Sequence, residues 1–99
     1  MMEDVVKIAK EVTFREDEEE AVREILIGYL EKRIADCKDK LARFESKYGM
    51  KLQDFEKKLG EELPLTWEHE RDYIDWDCTL GELEYLMEKL EALKKHGAR

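Results

Sequence analysis

The sequence has no asparagine, one glutamine (Gln53), one serine (Ser46) and one proline (Pro64). So few turn formers and helix breakers leave little material for loops and much for long, uninterrupted helices. A single serine leaves almost nothing for a serine–histidine nucleophile, and there is no glycine-rich phosphate loop or nucleophile elbow. No apolar run approaches the ~20 residues of a membrane span. The start, Met1-Met2-Glu3-Asp4, lacks the charged-then-apolar pattern of a signal peptide. Two cysteines, Cys37 and Cys78, are too few for a secreted disulfide framework. These absences predict a cytoplasmic protein that is not an enzyme and uses no metal or cofactor.

Charge is what the sequence has in excess. Charged residues make up 44% of the 99, and the formal net charge is −8. Abundant Glu and Lys with few amides is also the composition of thermophile proteins. Binding nucleic acid requires a basic face to neutralise phosphates, so direct contact with it is disfavoured. The one basic cluster, Lys94, Lys95, His96 and Arg99, is accounted for by cations at the negative end of a helix dipole. An acidic protein more readily meets a basic partner. A chain of this size buries only about 60–65% of its unfolded surface, so a second chain, a copy or a partner, is expected to complete its core.

In Val5 to Phe14, residues Val6, Ile8, Val12 and Phe14 alternate, with Lys10 interrupting. This predicts a short strand, with a helical lead-in as the competing assignment. A lone strand must pair with a second copy or a partner's sheet. The acids Glu16 to Glu20 then mark a helix start. The helix runs to about Tyr48, and Ile34, Cys37, Leu41, Phe44 and Tyr48 are spaced 3, 4, 3, 4, the rhythm of a coiled coil. Gly49 ends it. Leu52, Phe55 and Leu59 predict a short helix closed by Gly60, then a turn containing Pro64, then Thr66 as N-cap of a helix from Trp67 to about Lys95. The expected fold is all-α: an antiparallel, coiled-coil-like hairpin of two long helices over residues 16–99, with a short helix in the connection. Residues 1–15 precede it as a strand or flexible arm.

The last helix carries two apolar stripes. Tyr73, Trp76, Leu80, Leu83, Met87 and Leu90 form one; Trp67, Ile74, Cys78, Gly81 and Tyr85 form another on nearly the opposite side. One packs on the first long helix. The other must be covered by the short helix, by a second copy or by a different protein. Around them stand Glu68, Glu70, Asp72, Asp75 and Asp77, with Arg71 the one fixed positive charge. Aromatic anchors among acids suit docking on a basic, partly apolar surface. The competing assignment makes both stripes internal core and the acids a solvated face. His69 with Asp72 lacks a second histidine to complete a metal site, so a surface histidine is expected. Cys37 and Cys78 both fall on apolar stripes and are expected as buried small hydrophobes, though the hairpin also allows them to approach each other.

Phe44-Glu45-Ser46-Lys47-Tyr48-Gly49-Met50, then Asp54-Phe55-Glu56, then Asp72-Tyr73-Ile74-Asp75-Trp76 ahead of a leucine-rich helix form a recognisable series. It resembles small acidic antitoxin-like proteins of bacteria and archaea, encoded beside a small toxin, over about Ala42 to Leu93. The resemblance implies a protein that neutralises a small basic toxin, often an RNA-cleaving enzyme. It implies docking through Tyr73, Ile74 and Trp76 with Asp72 and Asp75, while Tyr48, Gly49, Met50 and Phe55 shape the turn. Many such proteins carry a DNA-binding head. Here the first long helix shows no break where a ribbon-helix-helix fold turns, and Glu16 to Glu20 would repel DNA. From residues and resemblance together, the candidate partner-binding set is Trp67, Asp72, Tyr73, Ile74, Asp75, Trp76, Asp77, Cys78 and Tyr85. The alternative is a self-associating coiled-coil scaffold that dimerises into a four-helix bundle, and a homo-oligomer is compatible with either function.

Overall fold

The computed structural model describes residues 2–97, with side chains over 3–95. Four helices make up most of it: α1 (Met2–Thr13), α2 (Glu18–Tyr48), α3 (Leu52–Lys58) and α4 (Trp67–Gly97). The long helices α2 and α4 are the arms of an antiparallel hairpin, and α3 lies in the connection. Antiparallel order is visible in the pairs Lys40–Asp75 at 2.6 Å and Lys47–Glu68 at 2.9 Å, where position rises along α2 as it falls along α4. Contacts group the chain into two units, Ile34–Tyr85 and Met1–Arg33 with Leu86–Arg99.

Local chemistry sets the helix ends. Asp17 caps α2 by accepting the Glu20 N–H at 2.9 Å. Gly49, at φ +66°, ends α2 in the left-handed conformation, with its N–H donating to the Glu45 carbonyl at 2.7 Å. Gly60, at φ +90°, forms the turn after α3 and donates to the Leu63 carbonyl at 2.7 Å. The Thr66 hydroxyl accepts the His69 N–H at 3.1 Å and so caps α4 as its sequence position predicts.

The strand expected over Val5 to Phe14 does not form; these residues belong to α1 and the turn after it. The same residues fit a helical stripe, Val5, Ile8, Ala9 and Val12 at 3, 1, 3 spacing, and among the described residues no second strand exists for pairing. Thr13, a good strand former, instead donates its hydroxyl to the Ala9 carbonyl one turn back, at 2.7 Å. Phe14 follows in the left-handed region at φ +57°, and the Arg15 N–H reaches the Lys10 carbonyl at 3.2 Å, so a phenylalanine occupies the position glycine usually takes in a Schellman cap.

In the unit containing the termini, Ala9, Ala21, Leu30 and Leu86 are buried. Val5, Ile8 and Val12 of α1 and Tyr29 of α2 are more than half exposed. A groove lined by Val6, Val22, Leu26 and Leu93 has Glu18, Glu19 and Arg23 at its edge. No helix among the described residues is long and apolar enough to cross a membrane.

Candidate functional site

Within Ile34–Tyr85, the inner side of α4 is the core. Trp76, 2% exposed, stacks on Phe44 at a centroid distance of 5.3 Å and on Tyr48 at 6.0 Å. Phe55, the buried residue of α3, meets Trp76 at 5.4 Å and Tyr48 at 4.5 Å. Each such ring pair contributes on the order of 0.5–1.5 kcal/mol beyond its buried area. His69 sets its ring edge-on to Tyr48 and Phe55, at 5.8 and 6.2 Å. Its Nδ1 lies 2.7 Å from the Pro64 carbonyl, an acceptor only, so Nδ1 carries a proton. The expected surface histidine is thus half-buried and ties the loop before α4 to the cluster.

Asp72 sits at the edge of this cluster, 7% exposed. It accepts the Lys47 ammonium at 2.7 Å and a short hydrogen bond from the Tyr48 hydroxyl. Burial pushes the carboxyl up, but Lys47 and Tyr48 outweigh it and hold Asp72 below the ordinary carboxylate range. Burial first, then the bond to Asp72, pushes the Tyr48 hydroxyl up to about 12. The bond to Asp72, with Glu68 beside it, raises the Lys47 ammonium above its ordinary value. Asp72 and Trp76 were both candidates for docking. The structure places them in the interior, because α3 presses Phe55 onto this side of α4. Tyr73 is half-buried, and a hydrogen bond with Glu56 of α3 raises its hydroxyl above its ordinary value. Asp75 is engaged by Lys40.

The outer side of α4 differs. Trp67 (78% exposed), Ile74 (61%) and Tyr85 (59%) lie along it with Cys78 and Gly81, all exposed. The short helix therefore lies, with α2, over Tyr73 and Trp76 of the other stripe, which removes the assignment of both stripes to the core, and Met87 toward the far end of that stripe is itself exposed. The positions 67, 74, 78, 81 and 85 repeat at 7, 4, 3, 4, the spacing of a coiled-coil seam, with exposed Arg71 at the intervening position between Trp67 and Ile74. The seam is edged by acids on both sides, but the two edges are not equivalent. On one, Glu68 and Asp75 are taken by Lys47 and Lys40. On the other, Glu70, Asp77 and Glu84 stand exposed at seven-residue spacing, and among the described residues none of the three is in an ion pair.

Cys37 is buried, with its thiol 3.6 Å from Glu82, whereas Cys78 is exposed; both are free. Cys78 is therefore not the small core hydrophobe its apolar stripe suggested. Of the nine candidates, Trp67, Ile74, Asp77, Cys78 and Tyr85 share the outer face, Tyr73 and Asp75 are partly covered, and Asp72 and Trp76 are internal. Glu70, named among the surrounding acids but outside the candidate set, and Glu84, not named, join the outer face, although their spacing from Asp77 was legible. Among the described residues no group of three or more His, Cys, Asp or Glu side chains converges to hold a metal ion. Comparison with protein-family models, curated proteins and solved structures finds no match.

Proposed function

We propose that this chain is a cytoplasmic protein-binding inhibitor of the antitoxin type, which neutralises a small basic protein by docking the outer face of α4 on it. The observation that carries this is the exposed seam of Trp67, Ile74 and Tyr85 beside the unpaired acids Glu70, Asp77 and Glu84. Large apolar side chains along one helix face, opposite the side that holds the core, mark an interaction surface. Their pairing with one sign of charge favours a partner of the other sign. The resemblance adds the class of target, an RNA-cleaving toxin, although four of its five docking positions (Asp72, Trp76 and, through Glu56 and Lys40, Tyr73 and Asp75) are engaged within the chain. Two free thiols favour a reducing compartment.

Self-association through this same face is disfavoured by its charge. In an antiparallel pair of α4 helices Asp77 would oppose Glu84 of the other copy. Replacing such like-charge contacts by a basic edge favours a foreign helix by about 1–2 kcal/mol over two or three contacts. A second reading, the self-associating module, draws instead on Val5, Ile8 and Val12 of α1, an exposed apolar stripe whose neighbours Asp4, Lys7 and Glu11 are of both signs.

The test is capture with tagged protein from cells that make it, comparing wild type with Ile74→Asp/Tyr85→Ala. One small basic protein held in fixed stoichiometry by wild type and lost by the variant, at unchanged helical content, supports the proposal. If Ile74 and Tyr85 are hot spots at ~2 kcal/mol or more each, binding falls by several hundredfold. Equal recovery by both would refute the assignment of the face.

A further inference from the structure

Gly81 occupies the middle of α4, where glycine is a poorer helix former than alanine. Among the described residues nothing requires it: a Cβ there would meet no side chain and no backbone beyond its own helical turn within 4 Å, and its φ is helical. Gly81 is also the low point of the exposed seam, with Ile74, Cys78 and Tyr85 around it. A small residue at a seam position lets another helix come close or seats a large side chain of that helix. The exposed acids Glu70, Asp77 and Glu84 run parallel to this seam at the seven-residue spacing of a coiled-coil flank, on the edge that no lysine of α2 neutralises.

The geometry points to the occupant of this face being an amphipathic helix of the partner, laid along α4 over Gly81, with Lys or Arg along the edge facing Glu70, Asp77 and Glu84. This rests on the proposal above that the outer face of α4 binds a protein, and it adds what part of that protein binds. A loop or a flat basic surface would not use a straight 7, 4, 3, 4 seam with a central gap. A second copy of α4 laid antiparallel would bring acids against these acids.

Cys78 lies in the seam and reports its occupancy, because Cys37 is buried. The probes are two 21-residue helical peptides with the same Leu/Ala seam, one edged with lysine and the other with glutamate. The readout is the rate at which N-ethylmaleimide modifies Cys78. The lysine peptide is expected to slow modification at least tenfold in a saturable way, and 0.5 M NaCl should reverse much of this. The glutamate peptide should give no protection. Gly81→Leu, at an exposed position with open space at Cβ and a better helix former, should abolish the protection. Asp77→Lys/Glu84→Lys should transfer it to the glutamate peptide.

Equal protection by both peptides, or by neither, overturns the inference. So does protection that appears on raising the protein's own concentration, which would seat a second copy there. If the lysine peptide fails while Ile74→Asp/Tyr85→Ala still loses a captured protein, the face binds but its occupant is not a helix. If that variant keeps the captured protein, the docking face itself is misassigned.

Discussion

Asp72→Asn tests the claim that Asp72 belongs to the interior and not to a docking surface. The substitution keeps the shape and an oxygen for the Tyr48 hydroxyl, but it removes the charge that Lys47 pairs with at 2.7 Å. A fully exposed ion pair contributes about 0–1 kcal/mol, and breaking a buried one costs about 3–5. Here Asp72 is nearly covered while the Lys47 side chain is 43% exposed and keeps Glu68 at 2.9 Å. Asparagine also avoids the cost of desolvating a carboxylate. The loss at pH 7 should therefore be about 2 kcal/mol, a substantial part of the 5–10 kcal/mol typical of a domain this size. Because the folded carboxyl titrates below the unfolded value of ~3.9, its stabilisation is fully present above pH ~4–5 and is lost as pH falls through the folded pKa. Urea unfolding followed by far-ultraviolet circular dichroism, from pH 7 to 2.5, measures the gap between wild type and variant. It should be constant from pH 8 to 5 and shrink below 4. A gap under 0.5 kcal/mol at neutrality, or one unchanged at pH 2.5, would refute the network's role.

The two tryptophans should separate sharply. Trp76→Ala is expected to cost about 3–5 kcal/mol and to loosen α3, while Trp67→Ala stays within about 0.5, both read by urea unfolding. Near-equal losses would contradict the inner and outer assignment of α4's stripes. The thiols should separate too: Cys78 reacts with a thiol reagent in the native protein, and Cys37 only at the rate of opening or unfolding. Two equally fast thiols would place Cys37 at the surface. Phe14→Gly should raise stability by about 1 kcal/mol, because glycine takes φ +57° without the steric cost a phenylalanine incurs and Phe14, 92% exposed, loses little packing. Destabilisation would mean that the ring makes contacts that matter.

What the sequence determined by itself is what depends on neighbours along the chain. The scarcity of proline and amides, the 3, 4 spacing from Ile34, the positions of Gly49 and Gly60, and Thr66 at a helix start are local signals, and the end of α2, the end of α3 and the start of α4 fall where those signals place them, whereas α4 runs through Gly97, beyond the expected end near Lys95. Periodicity also separated the two stripes of α4, since a helix wheel needs no tertiary information. It did not settle Val5 to Phe14, because a short β-branched segment satisfies both periods; the availability of a strand partner, against that of a helical surface burying Ala9, is a property of the whole fold. Nor could it say which stripe faces inward. That was decided by α3, whose Phe55 meets Trp76 and thereby turns Asp72 from a surface carboxylate into the bonded partner of Lys47 and Tyr48. Glu68 and Asp75 look the same in sequence as Glu70 and Asp77. Only the lysines of α2 across the hairpin distinguish the neutralised edge of α4 from the open one, and that distinction exists only once the two helices are packed.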